Sequence, residues 1–154
     1  MSGPANGTLV LNNDGTFEYI PDANFFGTDT FTYQLEDPDG AMSAVATVTI
    51  TVNEVNDAPV ANDDNFSTNE DTSLIGNILA NDSDIDDSVA DLVVTRLTDT
   101  ANGTLTLNAD GTFDYVPDAD FFGTDTFTYQ LEDANGGVSV VAVSYTHLTL
   151  PTKA

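Results

Sequence analysis

The sequence has no cysteine and no tryptophan, and Arg96 and Lys153 are the only Arg and Lys among its 154 residues. Without cysteine no disulfide can form, which fits either a cytosolic protein or a large secreted bacterial one. Neutralising a nucleic-acid backbone requires clustered Lys and Arg, so nucleic acid is excluded as a partner. An anionic membrane surface would repel the chain for the same reason.

Long apolar runs are also missing. None reaches the roughly 18 residues that a membrane-spanning helix needs, and the first residues do not resemble a signal peptide. We therefore predict neither a membrane-inserted nor a targeting segment.

Side chains suited to catalysis are scarce as well. The only histidine, His147, and the only lysine, Lys153, both lie near the end of the chain, in a segment that breaks the repeat described below. The remaining acid–base candidates are carboxyl pairs, which need one member buried with a raised pKa. Because the acids fall in turn sequences, we predict that the protein is not an enzyme and has no catalytic residues.

Acidic residues, in contrast, are abundant. There are 26 of them, 21 Asp and 5 Glu, and the formal net charge is -24. Asp favours turns and short-armed oxygen ligation rather than helix faces. With 40% hydrophobic residues, including nine Phe and five Tyr, the chain is too apolar to be a disordered acidic tail. We expect a folded protein that attracts cations.

The segment FFGTDTFTYQLED occurs twice, at residues 25–37 and 121–133. At the same offset of 96, residues 5–40 match residues 101–136 at 29 of 36 positions without a gap. A period of this length is far longer than a solenoid unit and equals a small domain. The repeat therefore indicates tandem domains.

Apolar and polar residues alternate with period two, and Asn-x-Asp-Gly and similar turn sequences separate the alternating segments. Residues 57 to the end predict an all-β sandwich with seven strands near 60–67, 72–79, 91–98, 103–107, 112–116, 125–132 and 138–148. Residues 1–56 correspond to only the last four strands of a preceding unit. We predict that this half-domain leaves part of its inner face uncovered and is the less stable part.

The repeat breaks after Ala142. The first copy continues ATVTITV, whereas the second continues AVSYTHLTLPTKA, and residues 143–153 resemble one translated frame of the transposase adapter used to prepare DNA libraries. We interpret residues 143–154 as a non-native tail that replaces the last strand of a domain spanning 57–142.

The junction NEVNDAPVA, residues 53–61, resembles the calcium-carrying linker between cadherin domains. Together with NEDT (69–72) and LNADGTFDYVPDADFFGTDTFTYQLED, it resembles the bacterial cadherin-like repeat of large surface adhesins, over residues 1–142. The resemblance implies a Greek-key, Ig/cadherin-like antiparallel β-sandwich on the bacterial cell surface. It also implies Ca²⁺ ligands at Asn56 and Asp57, and neighbouring repeats of the same chain as partners.

Topology extends the predicted calcium site. In a seven-strand sandwich, odd-numbered and even-numbered connections between strands lie at opposite ends. The loop 81–87 should therefore lie beside the linker and face residues 21–29 of the preceding unit. Calcium takes six to eight oxygen ligands with loose geometry. The loop is not an EF-hand, because Asp87 stands where Gly is needed and Val93 where Glu is needed. The predicted ligands are Asp22, Asp29, Asn56, Asp57, Asp82, Asp84 and Asp86.

These features predict a structural role. The protein is expected to be a calcium-rigidified extender module of a bacterial cell-surface or secreted adhesin, of the kind used in cell adhesion and biofilms, in which other domains contact a surface glycan or protein. The alternative is a β-sandwich that binds a carbohydrate or a protein through its own loops.

Overall fold

The structure, a computed structural model, describes residues 2–149. The chain divides into two compact units, unit 1 up to Val55 and unit 2 from Asn56 onwards. No helix within residues 2–149 is long and apolar enough to cross a membrane.

Unit 2 is a sandwich of seven strands in two sheets. One sheet has the order β5-β11-β10-β7 and the other β6-β9-β8. All pairs are antiparallel except β5 with β11, which is parallel. The strands are β5 (Asp64–Asn69), β6 (Leu74–Asn77), β7 (Val93–Thr98), β8 (Gly103–Leu107), β9 (Thr112–Pro117), β10 (Gly123–Glu132) and β11 (Ala142–Thr149).

The predicted all-β, Ig/cadherin-like sandwich is confirmed, with local differences. The first strand begins at Asp64 rather than near residue 60, because Val60 forms only an isolated bridge to Ser83. Short 3-10 helices at Ile78–Asn81 and Val89–Asp91 interrupt the β6–β7 connection. The first of them carries Ile78 and Leu79 into the core, where both are buried.

Aromatic side chains from alternate strand positions fill the core of unit 2. Phe113, Tyr115, Phe127 and Tyr129 are almost fully buried. The ring of Phe66 packs edge-on against Phe113 at 4.9 Å between centroids. Burying such a side chain contributes roughly 1.5–3 kcal/mol, so contact between the two sheets is the main source of stability.

Unit 1 consists of two hairpins, and its first three strands repeat the sequence of unit 2. Strands β1 (Gly7–Leu11) and β2 (Phe17–Pro21) form one, and β3 (Gly27–Tyr33) and β4 (Ala46–Val52) form the other. Leu35 is 65% exposed, whereas its counterpart Leu131 is 0% exposed; Phe17 is 47% exposed and Phe113 is 1% exposed. The strands β5, β6 and β7 that cover these residues in unit 2 have no counterpart among residues 2–55. The inner face of unit 1 is therefore partly uncovered.

Strand β11 carries two buried hydroxyl groups that are not satisfied. The Oγ of Ser144 and the Oγ1 of Thr146 have no hydrogen-bond partner among the described residues. Unit 1 has Val48 and Ile50 at these positions. Orphaned buried hydroxyls are what a foreign segment would leave in a strand position. The interpretation of residues 143–154 as non-native stays a prediction, and 150–154 lie outside the described residues.

Replacing both hydroxyl residues with their unit 1 counterparts, Ser144→Val together with Thr146→Ile, should stabilise unit 2. We expect the free energy of unfolding to rise by about 1–3 kcal/mol, because each unsatisfied buried hydroxyl carries a desolvation cost. Urea denaturation followed by near-ultraviolet circular dichroism measures this change. The matched control is the exposed His147→Thr, which also restores the unit 1 residue and should change little. Equal effects of the two variants would contradict the prediction.

Candidate calcium site

Three segments of unit 2 meet at one end of the sandwich: the start of the unit, the β6–β7 connection and the turn after β10. A two-way backbone bridge holds the first two together, since Val60 N donates to Ser83 O at 2.8 Å and Ser83 N donates to Val60 O at 3.1 Å. The turn after β10 closes when Asp133 N donates to Gly137 O at 3.0 Å.

Carboxylates from two of these segments form a cluster. One oxygen from each of Asp84, Asp87 and Asp133 lies within 4.8 Å of the others. Calcium binds oxygen at about 2.3–2.6 Å, so two oxygens on opposite sides of one ion lie close to this separation. We call these three residues the carboxylate cluster.

Two oxygens of the carboxylate cluster lack partners. The Oδ1 of Asp84 accepts from Asp86 N at 2.8 Å and from Asp87 N at 3.0 Å, which fixes the loop. Its Oδ2 and the Oδ2 of Asp87 are shielded from solvent and have no hydrogen-bond donor among residues 2–149. Burying an ionised oxygen without a donor or a cation is strongly unfavourable, so the cluster fits a bound cation.

Asp133 is buried and held by neutral donors. Its Oδ1 accepts from the backbone N of Asn135 and of Gly137, both at 2.8 Å, and its Oδ2 accepts from Asn56 Nδ2 at 2.9 Å. A Cβ at position 137 would collide with this carboxylate oxygen where it now lies, so glycine lets the carboxylate approach the backbone of the turn. Asn56 thereby links the start of unit 2 to the carboxylate cluster.

The charges of the carboxylate cluster oppose one another. Donation by the Asn56 side chain and by backbone amides lowers the pKa of Asp133. Burial raises the pKa of Asp87, and the negative charges of Asp84 and Asp133 raise it further. One carboxylate is thus kept ionised next to another that resists ionisation. A divalent cation among them would remove this conflict.

Four of the seven predicted ligands lie in or beside the carboxylate cluster: Asn56, Asp57, Asp84 and Asp86. Asp86 is tied to the start of the unit, since its Oδ2 accepts from Asp57 N at 2.7 Å. Sequence reasoning missed Asp87 and Asp133. The β6–β7 connection and the turn after β10 are both even-numbered connections and so lie at the same end of the sandwich. Applying this rule within unit 2 would have found Asp133.

The structure places Asp82 apart from the carboxylate cluster, in a buried network around Tyr129. The Tyr129 hydroxyl lies 3.1 Å from Asp82 Oδ2 and 3.2 Å from Asp64 Oδ2. It also lies 3.1 Å from Asn62 O and 3.4 Å from Ile78 O. One hydroxyl proton cannot serve four acceptors. Burial raises the pKa of Asp64 to about 7, although the hydrogen bond from Tyr129 acts to lower it. A second proton is therefore available at Asp64.

Asp29, another predicted ligand, is occupied within unit 1. Its Oδ1 accepts from Ala5 N and Thr30 N, and its Oδ2 from Asn6 N and the Tyr19 hydroxyl, at 2.8–3.1 Å. Burial acts to raise the pKa of Asp29, but these donors outweigh it and lower the value. Asp125 makes the same four contacts in unit 2, with Ala101, Thr126, Asn102 and Tyr115.

We call this arrangement the carboxylate clamp; it closes each unit locally. Asp22, the remaining predicted ligand, is exposed in the turn after β2. A calcium role for Asp22 and Asp29 stays a prediction.

Sequence comparison identifies the class of this sandwich. Residues 56–146 match the family described as "Bacterial Ig domain", and residues 1–54 match "Bacterial cadherin-like domain". The chain belongs to the bacterial Ig domain family, in the form of cadherin-like, Ig-like repeats. Such domains are adhesion-type modules that typically occur in extracellular surface proteins and are typically structural rather than enzymatic.

Individual proteins resemble this chain over part or most of its length. Integrin beta-like protein B of Dictyostelium discoideum is 33% identical over 94 residues, which cover 54% of this chain and 5% of that protein. The protocadherin gammaB4 extracellular domain has a similar fold, with a TM-score of 0.55 at 14% identity, covering 96% of this chain and 26% of that one. An endo-fucoidan hydrolase of glycoside hydrolase family 107 matches with a TM-score of 0.46 at 18% identity. The match covers 97% of this chain and 23% of that one.

The network around Tyr129 predicts a pH dependence of stability. Because the folded-state pKa of Asp64 lies near 7, above about 3.9 in the unfolded chain, the folded protein binds the extra proton. The contribution of Asp64 to the stability of unit 2 should therefore be fully present below the unfolded value and be lost as the pH rises through 7, by up to about 1.4 kcal/mol per pH unit. Urea denaturation between pH 5 and 8 measures this slope.

The variant Asp64→Asn should flatten the slope, because its amide cannot titrate. The control Asp114→Asn removes an exposed carboxylate of β9 and should keep the slope. A wild-type slope that survives in Asp64→Asn would refute the assignment.

Proposed function

We propose that unit 2 binds one calcium ion at the carboxylate cluster and that the protein is a calcium-rigidified extender module of a bacterial surface adhesin. The observation that carries the proposal is the pair of shielded, unpartnered oxygens on Asp84 and Asp87. Asp133 supplies a third oxygen from the turn after β10.

The donor set favours a hard cation. All three side chains offer carboxylate oxygens, which suit calcium and magnesium rather than softer metals. Calcium accepts irregular geometry and mixed ligands, whereas magnesium needs a near-ideal octahedron. The irregular loop over residues 84–87 fits calcium better. Water and the nearby Asp57 and Asp86 would complete the coordination.

The position of the carboxylate cluster supports a role at the entrance to unit 2. Asn56 and Asp57 are the first residues of the unit and are bonded to Asp133 and Asp86. An ion held there would fix the direction in which the chain enters the sandwich. Neighbouring repeats of the same chain are the proposed partners, and a line of such units would hold a distal binding domain away from the cell.

A site of modest affinity is sufficient for this role. Extracellular calcium modules commonly have Kd values of about 10⁻⁴–10⁻³ M. Calcium at ten times Kd would stabilise unit 2 by about 1.4 kcal/mol.

The variant Asp87→Asn tests the calcium site, since this side chain makes no hydrogen bond with residues 2–149 that the substitution would break. In chelator, we expect the variant to melt higher than the wild type, because one of the opposing charges is gone. In 10 mM calcium we expect the order to reverse, with calcium affinity at least tenfold weaker by titration calorimetry. The control Asp114→Asn should respond to calcium like the wild type. Stabilisation of Asp87→Asn equal to that of the wild type would exclude the site.

Small-angle scattering tests the rigidifying role separately. We expect calcium to narrow the distribution of distances between the two units, and Asp87→Asn to abolish this response. If calcium binds without changing the scattering, the calcium site stands but the extender mechanism is refuted. The alternative of loop-borne glycan or protein recognition stays a prediction, and the near-identity of the loops in residues 5–40 and 101–136 favours a scaffold.

A further inference from the structure

The chain contains three Asn-Gly dipeptides, at residues 6–7, 102–103 and 135–136. Asparagine followed by glycine is prone to deamidation, because glycine has no Cβ that would keep its backbone N away from the amide carbon of the asparagine side chain. The reaction also requires the peptide group between the two residues to rotate towards that side chain. Which of the three dipeptides reacts therefore depends on how firmly the fold holds each peptide group.

The carboxylate clamp holds the first two dipeptides. The backbone N of Asn102 donates to Asp125 Oδ2 at 2.8 Å. Its backbone O accepts from the Tyr115 hydroxyl at 3.1 Å and from Asp118 N at 2.9 Å. Asn6 makes the equivalent three contacts in unit 1, and both dipeptides are partly buried. Rotation of these peptide groups would break bonds that close each unit.

The third dipeptide lies in the turn after β10 and is held less firmly. Asn135 and Gly136 are both exposed, and a Cβ on Gly136 would meet nothing within 4 Å. The backbone N of Gly136 donates to Asp133 O at 3.3 Å, which is longer than usual for an N–H···O bond. The backbone O of Asn135 accepts no backbone hydrogen bond from residues 2–149. This peptide group is therefore the freest of the three.

The repeat shows that an aspartate fits this turn. Unit 1 has Asp39 and Gly40 where unit 2 has Asn135 and Gly136. Asp39 N donates to Asp37 Oδ1 at 3.0 Å, which is the contact that Asn135 N makes in unit 2. The two glycines have φ of 87° and 88°. Deamidation at position 135 would thus give unit 2 the residue that unit 1 already encodes.

We propose that Asn135 deamidates spontaneously and that the product changes cation binding at the carboxylate cluster. The backbone N of Gly136 attacks Cγ of Asn135, the Cγ–Nδ2 bond breaks, and the amide nitrogen leaves as ammonia with the proton of the Gly136 N–H. Water then opens the cyclic imide. Attack at Cγ gives aspartate at position 135, and attack at the backbone carbonyl gives an isoaspartyl link, which inserts a methylene group into the main chain. Neither step needs an oxidant, a reductant or an enzyme.

Two amide side chains connect the dipeptide to the carboxylate cluster. Asn135 Nδ2 donates to Asn56 Oδ1 at 2.9 Å, and Asn56 Nδ2 donates to Asp133 Oδ2 at 2.9 Å. An ionised aspartate at position 135 has no proton to donate, so its oxygen would face Asn56 Oδ1 without a hydrogen bond. Rotation of the Asn56 amide by half a turn restores one bond, because Nδ2 then donates to the new carboxylate and Oδ1 faces Asp133.

Both consequences favour a bound cation. Asp133 Oδ2 loses its donor, and one more negative charge lies beside three carboxylates whose oxygens are within 4.8 Å of one another. We expect aspartate at position 135 to destabilise unit 2 in chelator and to tighten calcium binding. The isoaspartyl product should instead weaken binding, because its longer main chain disturbs the turn that holds Asp133. These effects on calcium rest on the proposed function of the carboxylate cluster, whereas the reaction itself does not.

Peptide mapping of the full chain tests the reaction. The protein is incubated at mildly alkaline pH, digested with pepsin at acid pH to stop further deamidation, and analysed by mass spectrometry. We expect the peptide with Asn135 to gain the mass that separates OH from NH2, at least tenfold faster than the peptide with Asn102. In guanidinium chloride, where the fold is lost, the two rates should become similar. An equal or faster reaction at Asn102 in the folded protein would overturn the proposal.

The variant Asn135→Asp carries the aspartyl product and tests its effect. Titration calorimetry should show calcium binding about tenfold tighter than in the wild type, as one added charge near a divalent ion predicts. In chelator the variant should melt at a lower temperature. The matched control Asn69→Asp adds the same charge at the opposite end of β5 from Asp64, where the side chain is exposed, and should bind calcium like the wild type. The aspartyl form, isolated from aged wild-type protein by ion exchange, should bind calcium like Asn135→Asp.

The calcium measurements separate this proposal from the proposed function. If Asn135→Asp and the wild type bind calcium equally, the effect of deamidation on the carboxylate cluster is refuted, although the calcium site stands. If neither protein binds calcium, the proposed function fails, and the peptide map still decides whether Asn135 is a deamidation site.

Discussion

Burial of one apolar face beneath three strands is the constraint on which this structure depends. The face is written twice in the chain with nearly the same residues, yet Leu131 is fully buried and Leu35 is largely exposed. At about 25 cal/mol per Å² of apolar surface, covering a face that includes Leu131, Phe113 and Tyr129 dominates the stability of unit 2. The hairpins of unit 1 retain their turns and local contacts but lack this contribution.

Aspartate serves two opposite purposes in the same fold. In the carboxylate clamp, Asp29 and Asp125 each have both oxygens satisfied by backbone amides and a tyrosine, so hydrogen bonds to the carboxylate close a loop. In the carboxylate cluster, Asp84 and Asp87 each keep a shielded oxygen that has no donor in the described part of the chain. The number of available N–H groups around a carboxylate, rather than its sequence context, separates a structural aspartate from a candidate ligand.

This difference between structural aspartates and candidate ligands explains why the sequence predicted the strands better than the site. Alternation with period two predicted the strands well, and the structure shows that the repeated turns share a backbone conformation, since Asn24 and Asp120 have φ of 60° and 58°. The roles of neighbouring aspartates were harder to predict from the sequence. Asp82 points towards Tyr129, while Asp84, two residues later, turns into the loop. The part played by Asp133 depends on Asn56, 77 residues earlier, and local patterns carry no trace of such a pairing.

The parallel pairing of β5 and β11 has a mechanical consequence. These are the first and last strands of unit 2, and six residue pairs join them from Asp64–Ser144 to Asn69–Thr149. Tension applied through the two ends of the unit would pull the strands past each other lengthwise. Their hydrogen bonds would then share the load together instead of opening one at a time, which makes such a unit resistant to stretching.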